Sequence, residues 1–283
     1  MGNRIIVEKV KNTLVQAGTS FREGKIKAYE AAIQSEENLQ AKWCLETILE
    51  NARVAARDKS PLCDDTGIPH LFLEVGKNRF VSGEMMEDIQ QGIAEGLRAM
   101  PGRPMGIMGD DMQRIDQSGG LDQDPAGVAP APFLIKPVDE DVIRLHVLLL
   151  GGGPAIRGLT QRVFHKHSVS AVVDEIVARA TEGVSKLGCS PCVLAVGVGR
   201  SQFEATSMMM EAQVYGRFDV QSEMEEEITK RVNAAGIGPL GLGGKHSVLA
   251  TFLKVGPQRA SGVRIVCIRP CCCFEPRIAT VEL

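Results

Sequence analysis

Three cysteine-containing segments, far apart along the chain, place the strongest constraint on how this sequence can fold. Cys63 lies in the first segment, Cys189 and Cys192 in the second, and three adjacent cysteines at 271–273 in the third. Each segment is flanked by Gly or Pro and lies at the end of a predicted strand, where a backbone can turn towards a common point. We therefore expect these segments to be the parts of the fold that converge on a metal.

The overall composition excludes several classes of protein. The 283 residues are 44% hydrophobic and 24% charged, with a net charge of −3, which predicts one large or two small globular domains. The small charge gives no general attraction to nucleic acid or membrane, and 4% aromatic residues argue against a base-stacking surface. The sequence has no signal-peptide pattern and no run of roughly 18 apolar residues that could cross a bilayer. We expect a cytoplasmic protein whose cysteines are thiols or metal ligands.

Helical and strand patterns are mixed without regular alternation, which predicts an α+β fold. We expect a helical part, about residues 1–60, packed on a mixed, largely antiparallel sheet with additional helices in a part spanning about 61–283. The predicted helices cover 4–18, 24–34, 38–57, 83–100 and 221–234, and two more begin after Ser168 and Ser201. The predicted strands cover 70–75, 141–150, 193–198, 247–255 and 262–268. The segment 101–132 is rich in Pro, Gly and Asp and is predicted to be an ordered lid or interface loop.

The number of thiolate ligands decides what a metal site can do. An iron–sulfur cluster held by four cysteines is coordinatively closed and suits electron transfer, whereas three cysteines leave one iron open to act as a Lewis acid. Zinc could use the same ligands, but structural zinc sites usually bring two closely spaced ligand pairs. Here only Cys189-Ser-Pro-Cys192 has that spacing. In the first segment, the acidic residues before Thr66 could also form nothing more than a solvated turn.

Four motifs stand in a fixed order along the chain. They are Cys63-Asp64-Asp65-Thr66-Gly67, Cys189-Ser190-Pro191 followed by Val196-Gly197-Val198-Gly199, Gly241-Leu242-Gly243-Gly244-Lys245, and Cys273 with Arg277. Together they resemble the class I, iron–sulfur-dependent fumarate hydratases and L(+)-tartrate dehydratases, specifically the alpha subunit of the two-subunit enzymes. The resemblance covers essentially the whole chain.

This resemblance implies an activity, a cofactor and a partner. The cofactor would be a [4Fe–4S] cluster held by Cys63, Cys189 and Cys273, with Cys273 preferred over its two neighbours because of its spacing to Arg277. The reaction would add or remove water on a small 2-hydroxy dicarboxylate, with fumarate and malate expected first and tartrate or mesaconate as alternatives. A beta subunit would supply the catalytic base, so we expect this chain alone to be catalytically incomplete. The expected assembly is a hetero-oligomer or a homodimer of alpha chains. No nucleic acid or membrane partner is implied.

The same resemblance assigns roles to further residues. Asp65 would carry a proton to or from the departing hydroxyl, and substrate contacts would come from Asp64, Arg98, Gly152, Gly153 and Lys245. For Arg98 the alternative is a solvated helix C-terminus, and for Lys245 a surface lysine. Asp64 stands where many members have Gln. Leu150 and Pro154 replace the Lys and Ser that flank the family's three glycines, which leaves the substrate open.

Other residues of metal-binding type are predicted to be structural. Cys44 is expected in the core, and Cys192 is expected to point into the following strand as a structural residue. His165 and His167 are expected at a solvated or core-edge position. His246 follows the Gly-rich motif and lies close to the predicted site. The alternative function is a non-catalytic zinc- or iron–sulfur-binding scaffold or regulatory subunit. A nucleotide site at residues 197–199 is disfavoured because the third glycine of that fingerprint is missing.

Overall fold

The computed structural model describes residues 3–100, 102–152 and 158–283. The helices are α1 (Arg4–Thr19), α2 (Glu23–Ser35), α3 (Leu39–Asp58), α4 (Gly83–Ala99), α5 (Asp111–Asp116), α6 (Val169–Ser185), α7 (Gln202–Tyr215) and α8 (Glu223–Asn233). The strands are β1 (Ile68–Gly76), β2 (Leu134–Val138), β3 (Ile143–Leu150), β4 (Leu159–Phe164), β5 (Cys192–Gly199), β6 (Val248–Val255), β7 (Val263–Cys271) and β8 (Arg277–Glu282). Short 3₁₀ helices cover Pro125–Val128 and Pro239–Gly241.

The predicted α+β class is confirmed, but the strands form two sheets where one was expected. The sheets have the orders β2-β1-β3-β8 and β4-β7-β5-β6, and each combines one parallel pair with two antiparallel pairs. The sequence reasoning missed β2, β4 and β8, which are all edge strands. Strands β2 and β4 have few buried side chains, and β2 contains Pro137, so neither carries the apolar signature of a central strand.

The chain divides into two compact units, and the first contains the sheet β2-β1-β3-β8. This unit comprises Met1–Phe21, Asn51–Gly152 and Arg277–Leu283. Helices α1 and α4 cover one face of its sheet, and apolar side chains from both helices and from β1 and β3 form the core. A Cβ at Gly92 or Gly96 of α4 would meet Val10 or Leu14 of α1 at 3.0 Å or less. The two glycines therefore let these helices approach closely.

The second unit contains the sheet β4-β7-β5-β6. It comprises Arg22–Glu50 and Gly153–Pro276. Side chains of α6 and α8 form a core with Cys192 and its apolar neighbours on one face of β5. Helix α7 packs on β5, where a Cβ at Gly197 would lie 2.0 Å from the Ala205 carbonyl oxygen. The Gly197-x-Gly199 pattern thus serves helix packing.

The segment 102–133 has local structure of its own. Helix α5 begins at a capping box in which Asp110 and Gln113 exchange side-chain and backbone hydrogen bonds, and Ile107 forms a bridge with Leu121. A role as a lid or interface, and a single family domain over 1–283, stay predictions. Within the described ranges, every helix is too short or too polar to span a lipid bilayer.

Candidate active site

The Cys63 segment connects α3 to β1, and its first part is fixed to α1 and to the part of α3 that belongs to the first unit. The Leu62 side chain is buried, and its backbone N–H donates to the Gly18 carbonyl oxygen of α1 at 2.9 Å. The Asn51 amide of α3 donates to the Leu62 carbonyl oxygen at 3.1 Å. The half-buried Cys63 thiol therefore follows a residue that is anchored on both sides.

Arg277 fixes the second part of the same segment. Its side chain is buried, and it donates from Nε to the Leu149 carbonyl oxygen at 3.2 Å and from Nη1 to the Asp65 carbonyl oxygen at 2.5 Å. The Asp65 carboxylate accepts the backbone N–H of Gly67 at 3.1 Å, which closes a turn. Gly67 has a φ of 79°, and a Cβ there would lie 2.5 Å from Arg277 Nη2. Only glycine fits this position.

We expect Arg277→Met to lower the free energy of unfolding by about 3 kcal/mol, because two carbonyl groups lose bonds from a charged donor. Chemical denaturation followed by circular dichroism measures this loss. Arg259→Met is the matched control: its side chain is exposed, so its change should stay within about 0.5 kcal/mol. Equal effects from the two variants would contradict the anchoring role of Arg277.

Asp64 lies between a thiol and an arginine. The Cys63 thiol donates to Asp64 Oδ1 at 3.4 Å, and Arg103 Nη1 lies 3.6 Å from Asp64 Oδ2. The hydrogen bond from Cys63, followed by the charge of Arg103, lowers the pKa of this exposed carboxyl. The Arg103 carbonyl oxygen accepts the Thr66 hydroxyl at 3.3 Å. Sequence reasoning missed Arg103, because only the flanking Gly102 and Pro104 mark it and tertiary contacts set its position.

Arg98 pairs with an aspartate of the protein. Its Nε and Nη2 donate to the two carboxylate oxygens of Asp124 at 3.0 and 2.7 Å. Asp124 also accepts the backbone N–H of Ala126 and thereby caps the 3₁₀ helix Pro125–Val128. The predicted substrate contact of Arg98 stays a prediction, and a substrate carboxylate at this guanidinium would have to displace Asp124.

Gly152 lies at the end of the sheet where the Cys63 segment leads into β1. Ile68 pairs with Leu150, and Leu149 pairs with Arg277, so β1, β3 and β8 meet at this corner. Gly152 is exposed, and among the described residues a Cβ there would meet no atom within 4 Å. No contact with the described part of the chain therefore requires glycine at this position. Gly153 and Pro154 lie outside the described residues.

Cys189 and Cys273 come together within the second unit. Cys189 precedes β5 and Cys273 follows β7, and these strands pair with Val193 opposite Cys271. The Cys273 backbone N–H donates to the Cys189 carbonyl oxygen at 2.8 Å. Cys189 is exposed, whereas Cys273 is buried. A hydrogen bond between its side chain and that of Cys272, together with burial, raises the pKa of the Cys273 thiol well above its usual value.

The remaining cysteines of these segments have different surroundings. The buried Cys271 thiol donates to Gln213 Oε1 of α7 at 3.5 Å, and burial raises its pKa to about 12. Cys192, expected to be structural, lies in the core formed with α6 and α8. Cys44 is also buried, as predicted. All eight cysteines of the sequence are described, and none forms a disulfide.

Two residues of α2 support the turn that carries Cys273. The Tyr29 hydroxyl donates to the Cys273 carbonyl oxygen, and the Lys25 ammonium donates to the Glu275 carbonyl oxygen, both at 2.8 Å. The Glu275 carboxylate accepts two bonds of 3.1 Å from Arg269. All four side chains are buried. Burial lowers the pKa of Lys25 to about 8, while the neighbouring thiols, Cys272 first, act in the opposite direction.

The Gly-rich motif contacts the residue that follows α2, and the turn just before the motif contacts the Cys189 segment. The Glu36 carboxylate accepts backbone N–H groups of Glu37, Asn38 and Lys245 at 3.0, 3.0 and 2.8 Å. Burial raises the pKa of Glu36, but these three bonds outweigh it and lower the pKa overall. The Ser190 hydroxyl donates to the Gly238 carbonyl oxygen at 2.6 Å.

The Lys245 ammonium lies at the surface and pairs with a carboxylate of the protein. Its Nζ is 2.5 Å from Glu37 Oε1, and both side chains are exposed. The substrate contact predicted for Lys245 stays a prediction. His246 Nε2 lies 2.9 Å from the Ser35 hydroxyl. Desolvation lowers the pKa of this imidazole.

The structure divides the predicted ligand set between the units. Cys63 belongs to the first unit, whereas Cys189 and Cys273 belong to the second. In the ranges 3–100, 102–152 and 158–283, no three His, Cys, Asp or Glu side chains form a group that could hold a metal ion. His165 Nε2 lies 2.8 Å from the Ser261 carbonyl oxygen, and His165 Nδ1 accepts the backbone N–H of His167 at 3.0 Å, so both nitrogens serve local structure. The donor chemistry of Cys189 and Cys273 fits an iron–sulfur cluster, which is held by soft thiolates.

Comparison with known proteins identifies the family. The family model described as "Fumarate hydratase (Fumerase)" matches residues 7–282. The "Putative L(+)-tartrate dehydratase subunit alpha" of Methanocaldococcus jannaschii is 26% identical in an alignment 291 residues long, which covers 96% of this chain and 96% of that protein. The "L(+)-tartrate dehydratase subunit alpha" of Escherichia coli K12 is 23% identical over 274 residues, 94% of this chain and 87% of that protein. Because the family match extends over nearly the whole sequence, this chain belongs to the fumarate hydratase (Fumerase) family.

Proposed function

We propose that this chain is the alpha subunit of an iron–sulfur-dependent hydro-lyase that acts in the cytoplasm. It would add water to, or remove water from, a small 2-hydroxy dicarboxylate, with fumarate and malate expected first and tartrate or mesaconate as alternatives. The observation that carries this proposal is the pairing of Cys189 with Cys273 at two adjacent strand ends, through a backbone hydrogen bond of 2.8 Å, in a chain of this family.

We assign the ligands of a [4Fe–4S] cluster to Cys63, Cys189 and Cys273. When bound, a cluster with three thiolates would supply an iron with an open coordination position that acts as a Lewis acid. The ligand thiols must lose their protons to bind metal. A cation close to Cys273 favours this loss, and the Lys25 ammonium acts in that direction on the thiol.

Asp65 is the proposed proton carrier. Its carboxylate accepts the Gly67 N–H, and its carbonyl oxygen accepts a bond from the buried Arg277. The first contact restricts the rotation of the side chain, and the second holds the backbone that carries it, so the other carboxylate oxygen stays available to a departing hydroxyl group. Arg103 is proposed to receive a carboxylate of the substrate in place of Asp64, whose carboxylate now lies 3.6 Å from its guanidinium.

The exposed Gly152 gives a direct test of backbone approach to the substrate. We expect Gly152→Ala to lower kcat/KM roughly tenfold or more, since an added methyl group would displace a closely bound substrate. The free energy of unfolding should change by no more than about 0.5 kcal/mol, because a Cβ at this site meets no atom of the described residues within 4 Å. Gly83→Ala is the matched control, since a Cβ there likewise meets no described atom within 4 Å. Unchanged kinetics in Gly152→Ala would remove this glycine from the site.

The partner would be a beta subunit of the same hydro-lyase, as the name "subunit alpha" of the relatives suggests. The test is an anaerobic assay of this chain, of the beta chain and of the co-expressed complex with fumarate, L-malate, L(+)-tartrate and mesaconate. We expect turnover of one of these substrates by the complex alone. Full activity of this chain by itself would show that the partner is not required. Inactivity of the complex, with stoichiometric zinc in protein made under iron-replete conditions, would favour the scaffold alternative.

A further inference from the structure

One face of α2 buries a lysine and a tyrosine four residues apart. Lys25 is 2% exposed and Tyr29 is 0% exposed. Lysine is rarely buried, because removing an ammonium group from water is costly unless polar groups receive it. Side chains four residues apart lie one above the other on a helix. The two residues therefore act on one small region of the second unit.

That region is the turn after β7, which carries the proposed third cluster ligand. Tyr29 donates to the Cys273 carbonyl oxygen, and Lys25 donates to the Glu275 carbonyl oxygen, each at 2.8 Å. The two acceptors are two residues apart along the chain. Helix α2 consequently holds this turn at two points, and both bonds join residues more than 240 positions apart in sequence, with separations of 250 and 244.

Lys25 also supplies charge beside the thiols of this turn. Its ammonium group donates at 2.8 Å to the carbonyl oxygen of Glu275, two residues after Cys273, and so places a positive charge within the turn that carries this thiol. A buried thiolate is costly without a compensating cation. Groups that contact metal ligands from outside typically change metal affinity roughly 10- to 100-fold when they are removed, and nearby charges and hydrogen bonds shift the reduction potential of a cluster.

We propose that Lys25 and Tyr29 are positioning residues for the cluster ligand Cys273. Tyr29 and Lys25 hold the 273–275 turn in place, and the Lys25 ammonium balances the negative charge that thiolate ligation brings into this buried site. This proposal rests on the proposed function, since it requires that the chain binds an iron–sulfur cluster.

Three variants of the full chain separate the two contributions. Lys25→Met removes the ammonium group and keeps an unbranched side chain, Lys25→Arg keeps the charge, and Tyr29→Phe removes one hydroxyl. Lys27→Met is the matched control on the exposed face of α2, and Tyr215→Phe is the control for the tyrosine. Each protein is reconstituted anaerobically with iron and sulfide. Iron retention against a chelator and the reduction potential from an EPR-monitored titration are then measured.

For Lys25→Met we expect the chelator concentration that removes half of the iron to fall roughly tenfold, and the reduction potential to become more negative. Lys25→Arg should keep the wild-type potential, because the charge is retained. Tyr29→Phe should lose iron more readily without a change in potential. A residue that served the fold alone would not move the potential. Both control variants should match the wild-type protein.

If the wild-type protein binds the cluster, and Lys25→Met keeps the wild-type iron retention and reduction potential, this proposal is overturned and the proposed function still stands. A wild-type protein that takes up no iron overturns the proposed function and this proposal with it. If Lys25→Met does not fold, as judged by circular dichroism, the other two variants decide. Weaker iron retention in Tyr29→Phe, with an unchanged potential in Lys25→Arg, then supports the proposal, and wild-type retention in Tyr29→Phe overturns it.

Discussion

Cys273→Ser is expected to abolish iron–sulfur cluster binding, whereas Cys271→Ser should keep the wild-type iron content. The two residues are separated by a single position, but their environments differ. The Cys273 backbone bonds to Cys189, the other proposed ligand of the second unit. Cys271 is the last residue of β7, and its thiol bonds to Gln213 of α7. A serine at 271 can keep that hydrogen bond, while a serine at 273 replaces a thiolate by a poor ligand for iron.

Iron and acid-labile sulfide per chain, together with the visible spectrum, measure this difference after anaerobic purification. Cys272→Ser is a further comparison, since Cys272 hydrogen-bonds to Cys273 and raises the pKa of its thiol. We expect Cys272→Ser to retain iron. Loss of iron in Cys271→Ser with retention in Cys273→Ser would show that the spacing to Arg277 selects the wrong cysteine.

Asp65→Asn is expected to lower kcat by about 100- to 10,000-fold, the usual contribution of a positioned general acid or base. An asparagine side-chain oxygen can still accept the Gly67 N–H, and the Asp65 carbonyl oxygen that receives Arg277 is part of the backbone. The fold and the iron content should therefore be unchanged. Steady-state kinetics of the complex with its beta subunit, under anaerobic conditions, measure the effect.

The adjacent Asp64 provides the matched control for this substitution. Its side chain is exposed and pairs with Arg103, so Asp64→Asn should mainly change KM, through the charge that Arg103 presents to the substrate. A kcat in Asp65→Asn within about twofold of the wild-type value would contradict general acid–base catalysis by this carboxylate.

Strong amphipathic patterns allowed most of the fold to be predicted from sequence. Apolar residues recur at helical spacing in α1 and α4, and they form a nearly continuous run in the central strand β3. The ends of these three elements lie within two residues of the predicted ones. The edge strands β2 and β4 lack such a signature, because an edge strand is partly exposed to solvent and tolerates polar residues. The division of the strands into two sheets depends on pairings such as β3 with β8, which local patterns do not encode.

The site could be predicted in part for a similar reason. Cys63, Cys189, Cys273 and Asp65 belong to short motifs that a resemblance can identify. No such motif marks Arg103, Lys25 or Tyr29, because the roles proposed for them come from contacts with residues far away in sequence. The role of Arg98 stays a prediction. Its place in a motif predicts a substrate contact, and the sequence did not indicate the pairing of its guanidinium with Asp124.

The central claim, that three thiolates of this chain hold an iron–sulfur cluster, is tested most directly by its metal content. The full chain would be purified anaerobically from iron-replete cells, and iron, zinc and acid-labile sulfide would be counted per chain. We predict about four iron and about four sulfide per chain, as a [4Fe–4S] cluster requires, and their loss in Cys63→Ser. Stoichiometric zinc without sulfide, or a Cys63→Ser protein that keeps its full cluster, would contradict the claim.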